Sequence, residues 1–237
     1  MAPRLPSLLR PPIGFAHRGA RAHAPENTIE AFRLAQRLGA TGLESDVWRT
    51  ADGAAVLDHD GIVGGRLRRR PIAEVDRAEL PEHIPTLAEL YEACGSDVEL
   101  SLDVKDPAAA AEVIATARDA GAEATLWLCH PDLDTVASWR ELTPGARLVH
   151  STRTSRLGMS HEAHAAQLAQ RGVDAVNFHH TEWTGGTIAL YHRFRRLALG
   201  WDAQFERVID ELLDAGIDGV FSDHSDLLAT CLSRLDA

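Results

Sequence analysis

A chain of 237 residues, 45% hydrophobic and 25% charged, is long enough to bury one sizeable core, and its net charge of -11 excludes a general role on nucleic acid or an acidic membrane surface. Cys94, Cys129 and Cys231 are widely spaced and form no CxxC pair, which excludes a disulfide framework and a cysteine zinc site. The opening MAPRLPSLLRPP has its apolar run broken at Pro6, and no later segment is apolar enough to cross a bilayer, so a soluble, cytoplasmic protein without stable membrane insertion is expected.

Short β-like runs alternate with amphipathic helical runs along the chain. IGFAH (13–17) is the first predicted strand, and Ile29, Phe32, Ala35 and Gln36 form the stripe of the helix that follows, with Asn27 and Glu30 at capping-box spacing. GLESDV (42–47) is the second strand. Residues 51–85 then interrupt the rhythm: Asp52-Gly53 predicts a turn, AAVLDHD a hairpin arm returning His59 towards the strand ends, and the Arg66, Arg68, Arg69, Arg70 cluster a loop. Thr86 and Glu89 repeat the capping-box spacing. Further strands are expected at 98–105, 124–130, 147–152, 174–180, 197–202 and 218–223, and Phe205, Val208, Ile209 and Leu212 stripe a late helix. Gly39, Gly121, Gly172 and Gly216 each follow a helical run, where a left-handed residue ends the helix.

Eight strand–helix units predict an α/β fold, a single-domain (β/α)8 TIM barrel over 1–237 with an insertion after the second strand. Nearly every predicted strand ends in a polar side chain. A barrel gathers such ends on one face.

Glu44 and Asp46 lie two apart in one strand, and Asp103 and Lys105 two apart in the next, so each pair points the same way. Three carboxylates on adjacent strand ends suit a hard divalent cation, Mg2+ or Ca2+; a solvated, salt-bridged rim is the plainer reading. His17 and His59 carry imidazoles, a side-chain type suited to acid–base work, Arg18 offers a planar fork for phosphate oxygens, and Lys105 a point charge. Glu26 is expected to hold Arg18 and Asn27 to start the helix. Trp183 and Trp201 are candidate pocket-rim rings that could contact glycerol or a choline-like cation.

In order, HRG with PENT, then LESDV, TADG and VLDHD, then IPTL, LDVK and GIDGVFSD resemble the glycerophosphodiester phosphodiesterase family, densely over 14–105 and again over 197–223. The resemblance implies a TIM barrel, His17 and His59 as the catalytic acid–base pair, Glu44, Asp46 and Asp103 as ligands of one divalent cation, and Arg18 and Lys105 as phosphate-binding residues, with Trp201 as a substrate-pocket wall. Two positions depart from the family pattern. Asp103 stands where the family's E-x-K motif has glutamate, and Asp202 follows Trp201 where a small neutral residue is usual.

The implied activity is metal-dependent hydrolysis of a small-molecule glycerophosphodiester, such as glycerophosphocholine or glycerophosphoethanolamine, to glycerol phosphate and an alcohol. Alternatives are a lysophospholipase D-like activity on a lipid substrate and a catalytically silent phosphoester-binding protein. Retention of both histidines opposes the silent reading. The few apolar residues of the insertion, Ile62, Val63 and Leu67, oppose the lipid one.

Overall fold

In the computed structural model, residues 4–65 and 68–235 are described. The elements run β1 (Ile13–Ala16), α1 (Ile29–Arg37), β2 (Gly42–Arg49), β3 (Ala55–Leu57), β4 (Ile62–Val63), β5 (Arg70–Pro71), α2 (Leu87–Cys94), β6 (Glu99–Val104), α3 (Ala110–Asp119), β7 (Leu126–His130) and α4 (Leu133–Ser138). They continue with β8 (Arg147–Ser151), α5 (His161–Gln170), β9 (Ala175–His179), α6 (Gly185–Arg193), β10 (Leu197–Trp201), α7 (Glu206–Asp214), β11 (Gly219–Ser222) and α8 (Ser225–Ser233). The expected strands are all present. The parallel order β1-β11-β10-β9-β8-β7-β6-β2 closes through a β1–β2 pairing, which makes the sheet a TIM barrel with a helix after each strand.

The 51–85 insertion folds much as its turn signals imply. β3 pairs antiparallel with the far end of β2, Val47 opposite Leu57, and β4 and β5 form a separate two-stranded ribbon. Arg66 and Leu67 lie outside the described residues. Among the described residues, no helix is long and apolar enough to cross a membrane.

Closure depends on fitting one large ring at the barrel's centre. Phe15 stacks on Phe221 with centroids 4.6 Å apart and meets Trp127 edge-on at 5.6 Å. Gly42 faces this ring, and a Cβ there would come within 2.7 Å of it. These apolar side chains, with Val149, Ala175 and Leu199, form a dry floor beneath the strand ends. A second cluster fills the layer between sheet and helices, where Phe32, Ala35, Ile209 and Leu212 bury the helix stripes.

The helix signals are met with two corrections, and one expectation for the pocket rim is overturned. Thr86 and Glu89 form the expected reciprocal capping box, and Gly39, Gly121, Gly172 and Gly216 all have positive φ. α1, however, is capped by Thr28, whose hydroxyl accepts from the Ala31 N–H; Asn27 sits one residue earlier at φ 56 because its amide is drawn to β2. Phe205 is not part of the α7 stripe: it precedes the helix and is 71% exposed. Trp183 is not on the rim. It is buried, donating from its indole N–H to the Leu199 carbonyl at 2.8 Å.

Candidate active site

The strand ends surround a cavity of about 420 Å³. Its lining includes His17, Arg18, Glu44, Asp46, Asp103, Lys105 and Trp201, seven of the eight side chains to which the family resemblance gives a site role.

His17 follows β1, and its N–H donates to the Ser222 carbonyl at 2.9 Å, pinning it to the neighbouring end of β11. Its Nδ1–H donates to Asp223 Oδ1 at 2.6 Å, which orients the ring and leaves Nε2 3.8 Å from Glu44 Oε2. Burial alone would lower the imidazolium's pKa, but the Glu44 and Asp223 carboxylates outweigh it and raise the pKa above the ordinary value. Asp223 moves the other way: burial would raise its pKa, but pairing with His17 and Arg21 overcomes this and lowers it.

Arg18 takes a left-handed conformation, φ 50, and its N–H donates to Glu44 Oε2 at 2.9 Å. Its guanidinium donates to both Glu26 oxygens, at 3.0 and 3.1 Å, as expected of Glu26. Its Nε lies 3.2 Å from Asp46 Oδ2 without hydrogen-bond geometry. Asn27 donates to Asp46 Oδ2 at 3.3 Å and accepts from the Ser45 hydroxyl at 2.8 Å, so the left-handed turn at Asn27 orients an acidic side chain. Lys105 Nζ reaches Asp46 Oδ1 at 3.0 Å and also pairs with Asp103.

Glu44 and Asp46 are buried, and the resulting charge crowding is visible in Glu44. Burial pushes its pKa up to about 7; His17 and the Arg18 N–H oppose the rise, while Asp46 and Asp103 add to it. Lys105 offsets part of the negative charge; burial would lower its pKa, but Asp103 and Asp46 raise it instead. An all-oxygen donor set with one carboxylate driven towards neutrality chiefly by burial, with Asp46 and Asp103 adding to the effect, fits a hard divalent cation. Among the described residues, two other groups, His23 with His224 and Asp226, and His179 with His180 and Asp202, also gather side chains that could hold a metal ion.

His59 is the exception among the eight residues with an implied site role. Asp58, beside it, donates its N–H to the Asp46 carbonyl at 3.1 Å, so the hairpin does return to the strand end. The imidazole itself is partly exposed, pairs through Nδ1 with Asp60 at 2.8 Å, and is outside the cavity lining.

Sequence alone assigns Asp223 no partner, because its link to His17 spans 206 positions and exists only through closure of β1 on β11. It also leaves Arg153 and Arg156 unassigned. Both follow β8 and line the cavity across from the acids, and Arg153 lies over the Trp201 ring at 4.6 Å. Asn177 on β9 is buried there, with its Oδ1 unpartnered. The signal available is the polar end of each of these strands, which does not reveal what a loop will fold over.

The model of the Glycerophosphoryl diester phosphodiesterase family matches residues 17–227. A glycerophosphodiester phosphodiesterase of Caldanaerobacter subterraneus is 36% identical over 106 residues, 38% of this chain and 44% of that protein. The alignments to it and to the mouse and rat relatives thus span less than half of each relative's length. A Mycobacterium tuberculosis protein named "Probable glycerophosphodiester phosphodiesterase 2" aligns almost throughout, at 28% identity over 93% of this chain and 90% of its own. Among solved structures, a glycerophosphodiester phosphodiesterase of Thermotoga maritima superposes with a TM-score of 0.80 at 24% identity, over 92% of this chain and 97% of that one. A phosphodiesterase of Oleispira antarctica, in complex with the product sn-glycerol-3-phosphate, does so with a TM-score of 0.80 at 22% identity, over 95% and 97%. At these identities the structures share the fold.

Proposed function

The chain belongs to the glycerophosphoryl diester phosphodiesterase family, and from that premise we propose that it hydrolyses glycerophosphodiesters to sn-glycerol 3-phosphate and an alcohol. The observation that carries this reading is the oriented pair His17–Asp223 standing beside Arg18, Lys105 and three carboxylates on one cavity wall. A silent phosphoester binder would need the cations but not an imidazole held by an acid.

Glu44, Asp46 and Asp103 would hold one divalent cation, Mg2+ or Ca2+. When bound, it supplies positive charge to the phosphodiester oxygens. Arg18 and Lys105 contribute fixed charge on the same side, held in place by Glu26, Asp46 and Asp103, and offset the charge that grows as phosphorus becomes five-coordinate. His17 exchanges a proton through Nε2 while Asp223 keeps Nδ1 protonated and stabilises the imidazolium. His59 is assigned the role of second acid–base group by the family resemblance; the β2–β3 hairpin brings its neighbour Asp58 back to the strand end, while the His59 imidazole lies outside the cavity lining. The nucleophile is the substrate's own glycerol 2-hydroxyl or a water; a cyclic phosphate intermediate distinguishes the first from the second.

Turnover of a glycerophosphodiester panel and a lysolipid, after chelation and with Mg2+, Ca2+ or Mn2+ restored, tests the reading. Loss of glycerol 3-phosphate release on chelation and its recovery with a cation is expected. Activity confined to the lysolipid would instead select the lysophospholipase D-like alternative, and tight binding without turnover under any cation the silent one.

A further inference from the structure

We propose that Arg153 and Arg156 form an anion subsite that selects glycerophosphodiesters whose leaving alcohol carries its own negative charge. The inference rests on the phosphodiesterase reading for the location of the scissile phosphate, and goes beyond it in naming the headgroup class.

The cavity has cations on both sides, but they are committed differently. Arg18, Arg21 and Lys105 are each tied to acids: Arg18 to Glu26, Arg21 to Glu26 and Asp223, and Lys105 to Asp46 and Asp103. Across the cavity, Arg156 is exposed and makes no ion pair among the described residues, although it lines the same space. Arg153 makes one long ion pair, 3.4 Å to Glu182, whose other oxygen is engaged by the Thr154 N–H at 2.8 Å. Most of Arg153's donors remain available. Two guanidiniums three residues apart in one turn of loop, opening on a cavity, present planar forks to a carboxylate or a phosphate.

The aromatic wall points the same way. Trp201 would be the natural platform for a quaternary ammonium headgroup, but Arg153 already occupies its face at 4.6 Å, while His179 packs against it edge-on at 4.7 Å. A choline group seeking that ring must displace a cation or sit beside one. Asp202, the acid at this rim, is taken by His179 at 3.1 Å and Gln204 at 3.2 Å, so its charge is shared before a ligand arrives. Nearby, Asn177 keeps a buried, unpartnered Oδ1, which suits a hydroxyl donor of a polyol headgroup. The ligand chemistry that satisfies all three features is a polyol bearing a phosphate or carboxylate.

The experiment measures equilibrium binding of glycerophosphoinositol 4-phosphate and glycerophosphocholine to the His17→Ala variant, after chelation and with the absence of cleavage over the measurement verified, alone and combined with Arg156→Gln or Arg156→Glu. The anionic diester should bind about tenfold more tightly than the choline diester, an advantage that Arg156→Gln largely removes and Arg156→Glu inverts. Arg156 is exposed, so its substitution leaves the fold intact, and unchanged thermal unfolding checks this. Equal binding of the two diesters, a choline preference, or a preference indifferent to Arg156 overturns the proposal. Binding is read without turnover, so the expected preference in a wild-type protein that cleaves no diester would leave the subsite standing and remove the phosphodiesterase reading.

Discussion

The two sides of the cavity are built in different ways. The side formed by β1, β2, β6 and β11 consists of strand-end residues locked to one another: His17 to Asp223, Arg18 to Glu26 and Glu44, Asp46 to Asn27 and Lys105. The side formed at β10 and after β8 consists of the Trp201 ring at the end of β10 and two arginines with spare hydrogen-bonding capacity, Arg153 and Arg156. Locked groups stabilise a transition state because their dipoles and charges need little rearrangement as the reaction proceeds, while uncommitted groups can accept a range of ligands. The proposed function assigns chemistry to the first side, and the proposed subsite assigns discrimination between headgroups to the second.

Substitutions can break this comparison. Among the residues that position the reacting groups, Asp223→Asn should have the largest effect: kcat falls about 100-fold with KM little changed, because His17 loses its orientation. The carboxylate raises the His17 pKa, so its removal also shifts the titration of that ring to lower pH, read by NMR of the imidazole. A comparable loss in KM alone would move Asp223 to the selecting side.

Packing beneath the two sides differs as well. Gly42→Ala places a methyl within 2.7 Å of the Phe15 ring at the base of the locked side and should cost about 2 kcal/mol in denaturant unfolding. In the β8 loop, Gly158 has φ 65 and nothing within 4 Å of its would-be Cβ, so Gly158→Ala should cost about 1 kcal/mol, from backbone strain alone. Equal losses would mean that the floor is as yielding as the loop.

A buried histidine relay behind β8 should respond to acid without touching catalysis directly. The Tyr191 hydroxyl donates to His164 Nδ1 at 2.8 Å, His164 Nε2–H to His150 Nδ1 at 2.9 Å, and His150 Nε2–H to the Pro131 carbonyl at 3.1 Å, so both rings are neutral. Burial lowers the His164 pKa to about 3, with the neighbouring His150 and His161 adding to the effect. The unfolded chain therefore binds the extra proton first. The stabilisation from keeping His164 neutral is fully present above about pH 6.5 and declines as pH falls towards about 3, amounting to about 2 kcal/mol between pH 7 and pH 5. His164→Gln should be less stable at pH 7 but flatter in its pH dependence over that range; an unchanged slope would contradict the relay.

The contrast between the sides also explains what can be read from the sequence. Strand-end residues are legible because alternation puts Glu44 with Asp46 and Asp103 with Lys105 on one face before any contact is known, and because eight strand–helix units imply closure. Asp223 is visible only as a polar strand end, since its partner is set by the β1–β11 seam. Asn27 has the spacing of a cap, but its pull towards Ser45 and Asp46 is a tertiary contact that moves the cap to Thr28. Phe205 fits a helical period but lies before the helix begins, and Trp183 follows a strand end yet turns inward, because its indole N–H finds a buried carbonyl. Arg153 and Arg156 follow no period at all; a loop's path decides which way they face.

Whether the protein performs a two-histidine acid–base reaction on a glycerophosphodiester is tested most directly by steady-state kinetics of His17→Ala and His59→Ala beside the wild type. Each variant should lose about 1,000-fold in kcat with KM changed little. Turnover near the wild-type rate in both would contradict that role.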